Sequence, residues 1–428
     1  MKHRAKGLRI AILTSTMGLL GVSQAATIRR DDHAIPKTHA ALHRAHLAVA
    51  ATSHAATRST HATVHATVHA TTHAATATDV ATTKSVRNVH GKLVRVAVKH
   101  KSFERFTGNS FADDVTTGDV ADGEDPIVRA AAIEALGNMN GTALAIDPST
   151  GRILAMVNQK LALSSGAEPC STIKLSVALA ALQEGIVTRD TPVALGGGYH
   201  LTLTEALAHS NNLYFETLGR TLGFERVKHY ANQLGLGELA GYNIDGEQLG
   251  TYPDEELPAS QGGVGRMCSF GESVSMTPLQ LGAIVAAIAN GGTLYYLQHP
   301  TNPDEVAALE PKIKRTLDIG KLLPEMQPGM LAVTQYGTAR SLRANFKEFP
   351  VMGKTGTCSN NGTRYGWFGS YADTPNGKIV TVIFLEGGRP TFGPKAAELT
   401  GQLYRGLYDR KYFEPKPAST SVVSAGVQ

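Results

Sequence analysis

The segment from Pro169 to Val187 constrains the fold most: it is apolar on every face of a helix, with two polar residues near its start. Ile173, Val177, Ala180 and Ala181 recur at helical spacing, and Leu175, Leu179 and Leu182 fill the faces between them. A helix that is apolar all round is a buried one. Pro169 bounds the segment on one side, and Gly185 stands where helices commonly stop. Ser171 and Lys174 interrupt the start; three residues apart, they share one face. An amine pointing into a core is costly unless it has a partner or a task. Ser-x-x-Lys alone is also the everyday pairing of a capping serine with a solvated lysine, so the rest of the chain must decide.

Lys2, Arg4, Lys6 and Arg9 precede an apolar run, Ile10 to Val22, that ends in Ser23-Gln24-Ala25. A charged start, a short greasy middle and small residues at the exit describe a secretory signal peptide over residues 1–25. An uncleaved membrane anchor is the alternative, although the run is short of the roughly 20 residues a span requires. Cleavage after Ala25 removes four positive charges and leaves +1 of the formal +5. Charge therefore gives no reason to expect nucleic acid as a partner. The expected location is outside the cytoplasm, in the periplasm or cell envelope.

Residues 26–124 read as a disordered tether. Between His33 and Thr83 the composition collapses to Ala, Thr and His, with the repeat His61-Ala-Thr-Val, His65-Ala-Thr-Val, His69-Ala-Thr-Thr, His73. Without large apolar residues such a stretch cannot offset the entropy of ordering. Histidines four apart would suit a metal on one helix face, but no supporting partners or fixed scaffold are evident, so a solvated linker without metal or cofactor is expected. A basic block, Lys84 to Arg105, and an acidic block, Asp113 to Asp125, continue the linker, with a short strand at Leu93 to Val98.

The folded domain is expected over 125–410, followed by a flexible tail over 411–428. Asp125-Pro126 suits a helix start, and Val128, Ala131, Ala132, Ala135 and Leu136 form its apolar stripe. Thr142 to Ile146 and Arg152 to Val157 flank the turn Asp147-Pro148-Ser149-Thr150-Gly151 and predict a hairpin. Helical segments follow at Thr202 to Gly219, 224–234 and 277–290. The first of these contains Ser210-Asn211-Asn212, polar residues that disfavour a continuous helix. Val351 to Thr357, Trp367 to Tyr371 and Lys378 to Leu385 read as strands, and Pro394 to Leu407 as a last helix. This order predicts an α+β fold, an antiparallel sheet flanked by helices with an inserted all-α subdomain.

Three short signals now line up: Ser171-x-x-Lys174, Ser210-Asn211-Asn212 and Lys354-Thr355-Gly356, in that order. With Asp147 to Met156 and Gly271 to Gln280, they make residues 125–410 resemble the transpeptidase domain of penicillin-binding proteins. That resemblance implies a D,D-transpeptidase or carboxypeptidase acting on peptidoglycan stem peptides through a serine acyl-enzyme, with β-lactams as inhibitors. It implies Ser171 as nucleophile, Lys174 as its base, and Ser210 as a proton relay to the leaving amine. Asn212 would hold Lys174 and a substrate amide. Lys354 would be catalytic, its cation lowering the Lys174 pKa, and with Thr355 and Thr357 would suit a C-terminal carboxylate; Thr355, Gly356, Thr357 and Asn211 would bind substrate. The backbone N–H groups of Ser171 and Thr357 would form the oxyanion hole. The residue types suit these tasks, since a serine hydroxyl needs an adjacent neutral base and an amide side chain both donates and accepts.

Two positions depart from the family pattern. Cys170 stands where glycine is usual before the nucleophile, and Cys358 where a small residue is usual after Thr357. Within the resemblance both flank the oxyanion hole, so a disulfide involving Cys170 is expected, with Cys358 or Cys268 as partner; three buried small residues are the alternative. A serine β-lactamase differs only in fast deacylation by water. A non-catalytic module that binds cell wall or β-lactam is the remaining alternative, because Cys170 could crowd the hole.

Overall fold

The computed structural model describes residues 82–87, 93–98 and 106–414. The expected signal segment, the His-Ala-Thr repeat and the tail beyond Glu414 lie outside the described residues. The expected strand Leu93–Val98 is present and pairs antiparallel with Thr82–Arg87, a partner the basic composition of that block hid.

Helix α1 (Pro126–Leu136) is started by Asp125, whose carboxylate accepts from the backbone N–H groups of Ile127 and Val128. Strands β1 (Gly141–Asp147) and β2 (Arg152–Val157) form the expected hairpin. The chain then leaves the sheet for a helical region containing α2 (Lys174–Gln183), α3 (Asn212–Leu222), α4 (Gly263–Phe270), α5 (Pro278–Asn290) and α6 (Leu323–Gln335). It returns as β3 (Val351–Asn360), β4 (Thr363–Thr374) and β5 (Gly377–Gly387), and ends in α7 (Gly393–Asp409). The sheet order is β2-β1-β5-β4-β3, antiparallel at every step. The fold is thus α+β, an antiparallel sheet flanked by helices with an inserted helical subdomain.

Side chains alternate across this sheet with a period of two. Ile379, Ile383, Leu385, Phe368 and Ala372 face a core shared with α1 and α7. Val380, Val382, Phe384, Trp367 and Tyr371 face the opposite core, shared with α5 and α2. Every residue of α2 from Lys174 to Leu182 is buried, as the apolar pattern requires. Gly185 turns the chain away at φ +64°.

Three findings refine the sequence reading. The segment Thr202 to Gly219 breaks at its polar residues, as they predict, into two helices, Leu203–Ala208 and α3, with Ser210 at φ +54° between them. Helix α6 escapes a propensity argument because Pro324 and Pro328 lie in it; Met326, Gly329, Met330 and Val333 bury its inner face and outweigh the lost backbone bond.

The third is that residues before Asp125 are hydrogen-bonded into the sheet region. Thr107 N donates to Gly362 O at 2.9 Å, and Asn140 N to Ser110 O at 2.8 Å. Buried Glu124 accepts from Met156 N at 3.0 Å and pairs with Arg129 at 2.9 Å and with His299 at 3.0 Å. Asp119 accepts from Gln159 N at 2.8 Å and pairs with the same arginine. Composition read this acidic block as linker; two of its carboxylates instead satisfy buried donors at the end of the hairpin.

Candidate active site

A 3-10 turn, Cys170–Ile173, delivers the chain into α2, so that Ser171 sits half-buried at the entrance and Lys174 one turn inside. Lys174 Nζ lies 2.6 Å from Ser171 Oγ and 2.7 Å from Asn212 Oδ1. It is 3.3 Å from both the carbonyl oxygen and the hydroxyl of Ser210, and 5.6 Å from the centre of the Phe215 ring. These contacts explain how a wholly buried lysine is accommodated. Burial foremost, and the nearby Lys354 cation next, push its pKa well below the ordinary lysine value, with Glu216 opposing. A neutral amine 2.6 Å from a hydroxyl can take its proton.

The break between the Leu203–Ala208 helix and α3 swings Ser210 into the same space. Ser210 Oγ is 2.8 Å from Lys354 Nζ, on strand β3, so one hydroxyl bridges two amines from distant parts of the chain. Lys354 also donates to Thr355 O at 2.9 Å, and burial lowers its pKa to about 7. Strand β3 passes close to the Ser171 turn. A Cβ added at Gly356 would lie 2.8 Å from Pro169 O and 3.2 Å from Thr172 and Trp367, which is why a residue without a side chain stands there. Thr357 Oγ1 accepts from Gly393 N at 2.8 Å, tying β3 to the start of α7.

The structure therefore brings together Ser171, Lys174, Ser210, Asn212 and Lys354, with Thr355, Gly356 and Thr357 on the adjoining strand. Asn211 differs from expectation. Its side-chain oxygen accepts from Tyr214 N at 2.9 Å and caps α3, a structural task that the residue type did not announce. Of the partners left open for Cys170, the structure joins it to Cys358, across 188 residues of sequence. Cys268 is free and buried, its sulfur packed so closely on α3 that only Gly219 fits opposite, and burial pushes its thiol up to about 12.

Residues without a motif also touch these elements. Thr338 Oγ1 lies 2.6 Å from Thr355 Oγ1. Trp367 Nε1 donates to Glu168 O at 3.0 Å and holds the approach to the turn. The Glu168 carboxyl is pushed up to about 7, by burial first and Glu272 second, against the pull of Arg266. No sequence signal marks Thr338. Glu168 adjoins the Ser171 segment, but only burial distinguishes it from a surface carboxylate.

A family model described as "Penicillin binding protein transpeptidase domain" matches residues 141–405. The chain is 28% identical over 316 residues to stage V sporulation protein D of Bacillus subtilis, covering 61% of this chain and 48% of that protein. It is 25% identical over 388 residues to the peptidoglycan D,D-transpeptidase MrdA of Acinetobacter baumannii, covering 70% of this chain and 56% of that one. The chain thus spans about half the length of these curated relatives. Among solved structures, the TP domain of Burkholderia pseudomallei penicillin-binding protein 3 superposes with a TM-score of 0.58 at 21% identity, over 69% of this chain and 98% of that one. Pseudomonas aeruginosa PBP2 gives 0.56 at 22% identity, over 70% and 77%. At that identity the two structures speak to the fold.

Proposed function

Because the chain belongs to the penicillin-binding protein transpeptidase family, we propose that it is a serine D,D-acyltransferase acting on peptidoglycan stem peptides. The observation that carries the reading is the Lys174 amine, wholly buried, 2.6 Å from Ser171 Oγ, with Asn212 fixing it from the other side. Ser171 Oγ attacks the carbonyl carbon of the penultimate D-Ala as its proton passes to Lys174. The backbone N–H groups of Ser171 and Thr357 receive the oxyanion, and two such donors stabilise the developing charge by about 3 kcal/mol each. The tetrahedral intermediate collapses as the terminal D-Ala amine leaves, taking a proton through Ser210, which stands between the two amines. Lys354, Thr355 and Thr357 hold the substrate's C-terminal carboxylate. An amine from a neighbouring stem, or water, then attacks the ester and frees Ser171. A β-lactam enters the same sequence as an inhibitor and stays on the serine. The reading places the protein beyond the cytoplasmic membrane, in the cell envelope, where its substrate is.

Labelled penicillin tests it. Intact mass of the full chain should rise by one penicillin, on the peptide holding Ser171, and Ser171→Ala should abolish the adduct. An undiminished adduct on the alanine variant would refute the nucleophile. An adduct that hydrolyses within seconds would make the chain a β-lactamase instead.

A further inference from the structure

Next to Lys354 stands a pair of hydroxyls that the proposed chemistry uses only in part. Thr355 is almost wholly buried on β3, and its Oγ1 lies 2.6 Å from that of Thr338, in the link following α6. Thr338 is half-buried. Its position is fixed from the backbone: Thr338 N donates to Ala208 O at 3.1 Å, directly before the turn that carries Ser210. Gly337 lies so close that a Cβ there would come within 2.2 Å of Ala208 O. At the other end of the same stretch, Thr334 Oγ1 donates to Val351 O at 2.6 Å, at the start of β3. Residues 334–338 therefore brace the Ser210 turn against the strand of Lys354.

A hydroxyl has one proton to give and two lone pairs to accept with. Two hydroxyls in contact use one proton between them and keep the other. When Thr338 donates to Thr355, the Thr355 proton is released toward an outside acceptor, which beside Lys354 is an anion. We infer that Thr338 is a positioning residue for substrate: its hydroxyl orients Thr355 to donate to the carboxylate that the proposed reading places beside Lys354. The inference rests on that reading. Thr338 does not touch the reacting atoms; it acts through Thr355.

The test uses the full chain and two probes, a labelled penicillin and its methyl ester, which lacks the anionic oxygen. Acylation rates are measured for the unsubstituted protein, Thr338→Val, Thr338→Ser and Thr338→Ala. A hydrogen bond aimed at a charged group is strong enough for a loss of about tenfold or more. Thr338→Val and Thr338→Ala should slow acylation by penicillin at least tenfold, Thr338→Ser should stay within about threefold, and the ester should react at nearly the same rate with all four proteins. Equal losses for penicillin and ester, or a serine variant as slow as valine, would reduce Thr338 to a scaffold residue and overturn the inference alone. No adduct on the unsubstituted protein would overturn the acyltransferase reading and this inference together.

Discussion

Removing the Cys170–Cys358 link is the most informative single perturbation. The bridge closes a loop of 188 residues. In the chain-entropy account, a 100-residue loop is worth about 4.7 kcal/mol and the increment with length is logarithmic, so this one comes to about 5 kcal/mol. That is a large share of the about 5–15 kcal/mol that separates folded from unfolded chains. A second effect opposes it. Cys170 is held at φ +52°, a left-handed conformation that costs a residue with a side chain about 1–2 kcal/mol and glycine almost nothing. Cys358→Ala should therefore lower stability by about 4–5 kcal/mol, and adding Cys170→Gly should return about 1 kcal/mol. Guanidinium unfolding, followed through the single tryptophan, Trp367, which is fully buried in the sheet, measures both. Reductant should move the unsubstituted protein to the midpoint of Cys358→Ala and leave that variant unchanged. Midpoints that coincide in all three proteins, with and without reductant, would refute the argument.

Other expectations follow from the same geometry. The rate of acylation by penicillin should rise with pH as Lys174 loses its proton, with a midpoint below the usual lysine value. Lys354 is a cause of that depression, so Lys354→Ala should move the midpoint to higher pH; a midpoint that stays or falls would exclude Lys174 as the base. Glu124→Ala removes a buried carboxylate from Arg129, His299 and Met156 N. It should cost about 3 kcal/mol in the same unfolding assay, and a loss under 1 kcal/mol would show that residues before Asp125 contribute little to the fold.

The parts legible in the sequence were those whose signal is local. The buried helix α2 declared itself by apolar residues on every face, the hairpin by its Asp147 to Gly151 turn, and the three motifs by residue type and order. Less legible were features made by distant partners. Asp119 and Glu124 look like any acidic linker until the backbone donors of the hairpin meet them. Asn211 carries the same side chain as Asn212, yet one caps α3 and the other holds Lys174, and only their positions about the start of the helix separate the roles. Prolines hid α6 because its stability comes from packing. Thr338 was invisible because a threonine acquires meaning only beside Thr355, 17 residues on, across a turn of unknown course.

The long helical excursion between β2 and β3 also sets the order in which a growing chain can become reactive. Ser171 emerges early, but Lys354 and the strand that buries it arrive only after the whole insertion, and long closures of this kind are slow. On the acyltransferase reading, the Lys174 amine until then has water and no cationic neighbour, keeps its proton, and leaves the serine an ordinary alcohol, so a truncated or half-made chain should resist acylating agents.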